Sequence, residues 1–257
     1  MIAKQMWIAF ETLTRKELMR CFRIWPQTIM PPAITMTLYF VIFGKLVGSQ
    51  IHEIEGFTYI QYIVPGLVMM SIIMNAYINT SSSFFGSKFQ RSIEEILVSP
   101  TPNVIILCGF IMGGVMRALI VGSIVTTIAL FFTHLHLHHF LLMFLVALLT
   151  AVFFSIAGVI NGVYAKTFDD VSWIPSFVIT PLTYFGGVFF STSMLSGLWQ
   201  KIAYLDPILY IVNAFRYSLL GVSYANIEIS VSVLFIFTTV LFFYALHLLR
   251  VSPGLRN

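Results

Sequence analysis

Six stretches of the chain, residues 26–47, 58–82, 104–132, 139–164, 172–191 and 229–249, are strongly apolar and about long enough to cross a bilayer as helices. A hydrocarbon core of about 30 Å needs roughly 20 such residues. Strands of a membrane barrel alternate polar and apolar residues, and these runs do not. In lipid every backbone N–H and C=O must find a partner inside its own segment, so helix is expected despite many β-branched residues. Composition agrees, with 58% hydrophobic residues, 9% charged and a mean hydropathy of +0.92. Soluble domains carry about 25% charged residues, so too little charge is present to cover a surface facing water. The 25 Phe and 11 Tyr likewise exclude a disordered chain. The expected fold is all-α, a single integral membrane domain over residues 1–257.

Segment 192–221 fits this scheme differently. The apolar run Pro207 to Val222 is short for a span and contains Arg216, and a charge at mid-bilayer costs about 2.5 kcal/mol or more. Two half-buried, re-entrant helices are expected instead, broken at Asp206-Pro207. The charges then orient the chain. Lys4, Arg15, Lys16, Arg20, Arg23, Lys88, Arg91, Lys166, Arg250 and Arg256 share one side; Lys45, Lys201 and Arg216 lie on the other; Arg117 is the one deep charge. This asymmetry places both termini in the cytoplasm. The net charge of +4 therefore speaks to membrane orientation and lipid headgroups, not to nucleic acid. Charges interrupt the N-terminal segment throughout, so no cleavable signal peptide is expected there.

Residues 1–25 are expected to form an interfacial helix. Met6, Phe10, Leu13, Cys21 and Trp25 fall on one side, and Lys4, Glu11, Arg15, Lys16 and Arg23 on the other. Glu17, Arg20 and Phe22 break the pattern. A second amphipathic helix is expected over 84–98. Phe85, Phe89, Ile93 and Leu97 recur every four residues, Arg91 and Glu95 stand at i,i+4, and Ser99-Pro100-Thr101-Pro102 stops the helix. Tied to two spans, such a helix suits docking on a soluble partner.

Chemistry of other kinds is missing. No G-x-x-x-x-G-K-[ST] phosphate loop occurs, and no acidic residue stands well inside a span, as ion-coupled carriers usually require. Arg117 reads as a residue snorkelling toward the cytoplasm. His134, His136, His138 and His139 could in principle bind a metal, but no Cys or carboxylate stands beside them, and a polar turn is the expectation. Cys21 and Cys108 are expected to be free thiols. No nucleophile with a paired base appears, so no catalytic, cofactor or metal residue is assigned. Gly109/Gly113 and Gly158/Gly162 form G-x-x-x-G pairs suited to close helix packing.

Two segments resemble a known family. Residues 89–100, FQRSIEEILVSP, and residues 181–221, with Pro181, Gly186-Gly187, Phe189, Trp199, Pro207, Tyr210 and Arg216, resemble the ABC-2 type transporter permeases. The likeness runs along nearly the whole chain. It is similar to small bacterial inner-membrane permeases grouped with nodulation lipo-oligosaccharide and antibiotic exporters. The resemblance implies an export path for a lipid-linked, glycan or amphiphilic substrate. It implies two copies of this chain, paired with two copies of a separate ATPase subunit that carries the ATP and Mg. Residues 84–98 would hold the coupling helix, with Phe89, Arg91, Glu94, Glu95 and Leu97 meeting that ATPase. The path would lie between the two permeases, the first and fifth spans near the seam, and Trp199, Pro207, Tyr210 and Arg216 would sit at the outer exit. The alternatives from other classes are an ATP-independent channel or secondary carrier, and a membrane anchor without transport activity.

Overall fold

The computed structural model describes residues 2–48, 50, 53–135, 137–191, 194–223 and 226–251. His136 and Arg256, both used above, lie outside the described residues. The elements in chain order are α1 (Ile2–Arg23), α2 (Trp25–Val41) continued by a π-helical turn (Ile42–Val47), α3 (Tyr59–Phe89), α4 (Ser92–Val98), α5 (Asn103–Leu130), α6 (Phe140–Tyr164), α7 (Phe168–Ile174), a second π-helical turn (Pro175–Ile179), α8 (Thr180–Phe185), α9 (Leu198–Ala203), α10 (Pro207–Leu220) and α11 (Ile227–Val251). Among the described residues the only extended pairing is an isolated bridge between Ile54 and Phe57. The protein is an all-α integral membrane protein. Among the described residues five helices are long and apolar enough to cross a bilayer: Trp25–Gly44, Tyr59–Phe89, Asn103–Leu130, Phe140–Tyr164 and Ile227–Val251. Where a fifth of six spans was expected over 172–191, the chain forms α7, the π-helical turn and α8 in direct succession, with Asp169 and Asp170 in the first turn.

Local chemistry explains most helix ends. Thr58 and Gln61 form a capping box at the start of α3. Thr167 and Asp170 do the same for α7, where the Asp170 carboxylate accepts the backbone N–H of Lys166 at 2.8 Å and of Thr167 at 2.9 Å. Asp206 accepts the N–H of Ile208 at 2.8 Å, Pro207 opens α10, and Gly221 closes it with φ at +76°. Only glycine takes that left-handed angle without a Cβ penalty.

Helix α3 is the hub. It is almost wholly buried and packs along both α5 and α6. Without a hydrophobic drive between helices in lipid, close backbone approach supplies the attraction. Gly158 of α6 permits that approach, since a Cβ there would stand 2.6 Å from the Tyr77 carbonyl oxygen; at Gly162 it would meet Phe84 at 3.1 Å. The other expected glycine pair, Gly109 and Gly113 of α5, is not used between spans. Its Cβ positions would strike Leu13 and Glu17 of α1 at 2.7 and 2.6 Å. The small-residue groove of α5 is thus the berth of the N-terminal helix.

That berth corrects the expected face of α1. Leu13 and Cys21 turn inward as expected, but Met6 and Trp25 are exposed, and Glu17 is buried. The inward stripe runs through Phe10, Leu13, Glu17, Arg20 and Cys21. Two of the residues that seemed to spoil the pattern therefore belong to it. A second correction concerns 84–98, which is not one helix. Helix α3 continues to Phe89, Arg91 adopts a left-handed φ of +60°, and α4 begins at Ser92. The change of direction breaks the i,i+4 register, and Arg20–Glu17 is the only ion pair among the described residues; Arg91 and Glu95 do not meet. Free thiols are found at Cys21, buried, and Cys108, half-buried.

Candidate functional site

The end of the bundle that carries α4 presents the most organised polar surface. Helix α4 is anchored by Ile93, which is 1% exposed, and by Ile96 and Leu97, which pack against the core. Leu97 is half-buried against that core. Phe89, Arg91, Glu95 and Val98 are exposed, Val98 to 87% and Phe89 to 66%, and Glu94 is half-buried. Phe89 and Phe85 both pack on Phe168 at the start of α7, with ring centroids 5.2 and 4.9 Å apart. The α3–α4 corner thus rests on the entry to the 168–185 helix.

Lys88 belongs to this corner in a way the pattern did not show. Its Nζ donates to the carbonyls of Val163 at 2.6 Å and Ala165 at 2.8 Å, at the C-terminal end of α6. A cation satisfying the last carbonyls of a helix also meets its negative dipole end. Lys88→Met leaves those carbonyls without their donor. A loss of about 1–2 kcal/mol is expected, read as a lower melting temperature of the purified protein in detergent.

Behind α4 lies a network of buried charge and amide groups. The Glu17 carboxylate is 2% exposed. Its Oε2 accepts Ser83 Oγ at 2.6 Å and pairs with Arg20 at 3.2 Å. Arg20 Nη2 donates to the Asn79 side-chain oxygen at 2.8 Å and to the Asn79 backbone carbonyl at 3.2 Å. Arg117 Nη1 reaches the same Asn79 Oδ1 at 3.3 Å. Arg117 is thus bound to α3, and one asparagine joins α1, α3 and α5. Lys16 adds a contact over the Phe110 ring at 5.7 Å. The sequence pattern gave Glu17 and Arg20 no role beyond breaking the stripe of α1. The available signal was Glu17 and Arg20 standing one turn apart against the helical pattern. Gly113→Leu would press on Glu17 and lift α1 from its berth. A loss of about 1–3 kcal/mol is expected, with faster proteolysis within α1 as the specific readout.

The opposite end holds the other expected residues. Trp199 of α9 stacks on Phe185 at the end of α8, 6.0 Å between centroids. Tyr210 of α10 donates its hydroxyl to the Tyr204 carbonyl at 2.9 Å, which folds the α9–α10 corner about Pro207. Arg216 lies apart from these surface residues. It is 1% exposed, donates to the Gly187 carbonyl at 2.6 Å and the Tyr62 carbonyl at 3.2 Å, and its guanidinium sits 4.0 Å from the Tyr62 ring centroid. It ties α10 to the start of α3 and to the Gly186-Gly187 turn. His138 and His139 are also structural here: their backbone N–H groups donate to the Ser218 carbonyl at 3.1 and 2.8 Å, and both rings pack on Tyr217. Among the described residues no cluster of three or more His, Cys, Asp or Glu is placed to hold a metal.

Comparison with known proteins bears on this arrangement. Residues 8–220 match the ABC-2 type transporter family. The chain is 50% identical over 251 residues to the inner membrane transport permease YadH of Escherichia coli strain K12, covering 98% of both chains. More distantly, it is 24% identical over 214 residues to nodulation protein J of Rhizobium leguminosarum bv. viciae, 83% of each chain. Against nodulation protein J of Neorhizobium galegae it is 21% identical over 245 residues, 95% of this chain and 92% of the other. The match spans α1 through α10, and so includes both the α4 corner and the Arg216 tie: this chain belongs to the ABC-2 type transporter family.

Proposed function

We propose that this chain is the permease subunit of an ATP-driven exporter in a bacterial inner membrane, with six spans and both termini in the cytoplasm. Two copies pair with two copies of a separate ATPase, which holds the ATP and Mg; this chain contributes no catalytic residue and no cofactor site. The observation that carries the reading is the α3–α4 corner. An anchored short helix, turned outward at Arg91, offers Phe89, Arg91, Glu95 and Val98 to a partner while its base rests on α3 and Phe168. Glu94 flanks that contact. Membership of a family of transporter membrane components, and likeness to an inner membrane transport permease, support the same assignment. The resemblance to nodulation lipo-oligosaccharide and antibiotic exporter permeases favours a lipid-linked, glycan or amphiphilic cargo.

Glu95→Lys together with Glu94→Lys reverses the charge on the docking face without touching its Ile93 anchor. ATP hydrolysis by the partner, measured in proteoliposomes, is expected to lose its stimulation by the permease while the permease itself remains folded. Unchanged stimulation removes α4 from the interface. The orientation has a separate check. A cysteine at Asn226 is expected to react with a membrane-impermeant maleimide added outside the cell, and protection there rejects the six-span arrangement.

A further inference from the structure

A cleft floored by α6 runs along α11, walled on its other side by the start of α10 in one half and by the 168–185 helix in the other. Two hollows form it, of about 340 and 350 Å³, and they meet at Phe153, Phe154 and Pro207. Each is within the size range of small-molecule sites. One hollow extends along α11 to Ser230, the other to Leu241 and then to Tyr164 at the end of α6. Ser230 and Leu241 are eleven residues apart on one helix, so the cleft is at least about 16 Å long. That is about half of a hydrocarbon core.

The walls are aliphatic and aromatic along this length, with Ala157, Val178 and Phe237 among them. A pair of exposed hydroxyls marks the α4 end. There the Tyr164 and Tyr244 hydroxyls are hydrogen-bonded to each other at 2.7 Å and lie exposed, and Asn161 lies within the cleft beside them. Tyrosines of this kind sit at the level of lipid headgroups. A long apolar channel with a polar mouth is complementary to an amphiphile inserted tail first. Where lipid borders the cleft, an acyl chain is at hand to fill it, and an unfilled hollow forfeits the dispersion contacts of its lining.

We propose that this cleft is a binding site for the acyl chain of a membrane amphiphile, headgroup at the Tyr164–Tyr244 mouth and tail running past Phe153 toward Ser230. The site lies within one copy of the chain. It rests on the embedding of the helices in lipid and not on the ATPase partnership, so the two readings fail separately.

The test uses the full-length protein in nanodiscs of phosphatidylcholine carrying a trace of phosphatidylcholine with a diazirine in its acyl chain. After photolysis, adducts are mapped by mass spectrometry. Adducts are expected to concentrate on Phe153, Ala157, Val178 and Phe237 over Leu141 and Phe144, which are lipid-exposed elsewhere on α6. Ala157→Trp plugs the cleft and is expected to lower labelling of Phe153 and Phe237 about tenfold, leaving Leu141 labelled as before. Should Ala157→Trp fail to elute as a folded species, Val178→Phe plugs the facing wall and serves the same comparison. Labelling spread evenly over cleft and non-cleft positions overturns the proposal, as does labelling that neither plug diminishes. Efficient disulfide crosslinking of a Val178→Cys variant to a second copy also overturns it, because a protein surface would then occupy the cleft.

Discussion

Arg216→Met is expected to leave the purified protein short of stability by about 2–5 kcal/mol. Its guanidinium serves two carbonyls and one aromatic face inside the protein. Orphaning a buried acceptor costs about 1–3 kcal/mol, and a desolvated cation–π contact is worth about 2 kcal/mol. Methionine matches the length of the side chain and fills space, so packing loss is kept small. Lysine rescues poorly, because a single ammonium cannot span the Gly187 and Tyr62 carbonyls as a planar fork does. Thermal unfolding in detergent, followed by size-exclusion recovery, reads the ranking: wild type above Arg216→Lys, and that above Arg216→Met. Equal melting of wild type and Arg216→Met would mean that the tie between α10 and α3 carries no load.

A change of similar size is expected at the other end. Glu17→Ala removes the carboxylate paired with Arg20, and leaves Ser83 without its acceptor. Breaking a buried ion pair from one side costs about 3–5 kcal/mol, because the remaining charge stays uncompensated. Arg20 is partly open to solvent, with 30% of its side chain exposed, so the lower end of that range applies. Glu17→Gln keeps an acceptor for Ser83 but not the charge, and is expected to lie between wild type and Glu17→Ala. The network also joins α1 to the two helices that flank α4. In reconstituted complexes, Glu17→Ala is therefore expected to lower ATPase stimulation even under conditions where the permease remains folded. A double substitution with Asn79→Ala tests the connection: coupled residues give a loss smaller than the sum of the two separate losses.

These two residues also show where sequence and structure part. The fold class was legible because lipid permits so few backbone solutions, and apolar length alone selects the helical one. The G-x-x-x-G pairs were legible as contact surfaces, since small residues are what close approach needs. Their partners were not. Whether Gly109 and Gly113 receive a span or the N-terminal helix depends on where α1 lies, and nothing local in either segment specifies that. Glu17 and Arg20 looked like defects in an amphipathic stripe because a helix on a membrane surface should face its charges outward. Against a glycine groove lined with Asn79 and Ser83, the rule inverts.

Arg216 poses the same difficulty from the other direction. Its cost in a short apolar run was visible. Its compensation comes from carbonyls 154 and 29 residues away, beyond any local pattern. The α4 corner was half legible. Its position, its stop signal at Ser99-Pro100 and its exposed charges followed from composition. The break at Arg91 did not, because a left-handed non-glycine residue leaves no periodic trace. That break turns Leu97 toward the core and leaves Phe89 and Val98 outward.

The central claim is that a separate ATPase drives this chain through α4. Affinity purification of the tagged permease from its native membranes, with bound subunits identified by mass spectrometry, tests it most directly. The account predicts a Walker-A ATPase recovered in equal amount with the wild-type permease, and lost from the Glu94→Lys, Glu95→Lys variant although that variant reaches the membrane at normal level. A permease that purifies folded and without any ATPase, or a variant that retains the ATPase undiminished, would contradict it.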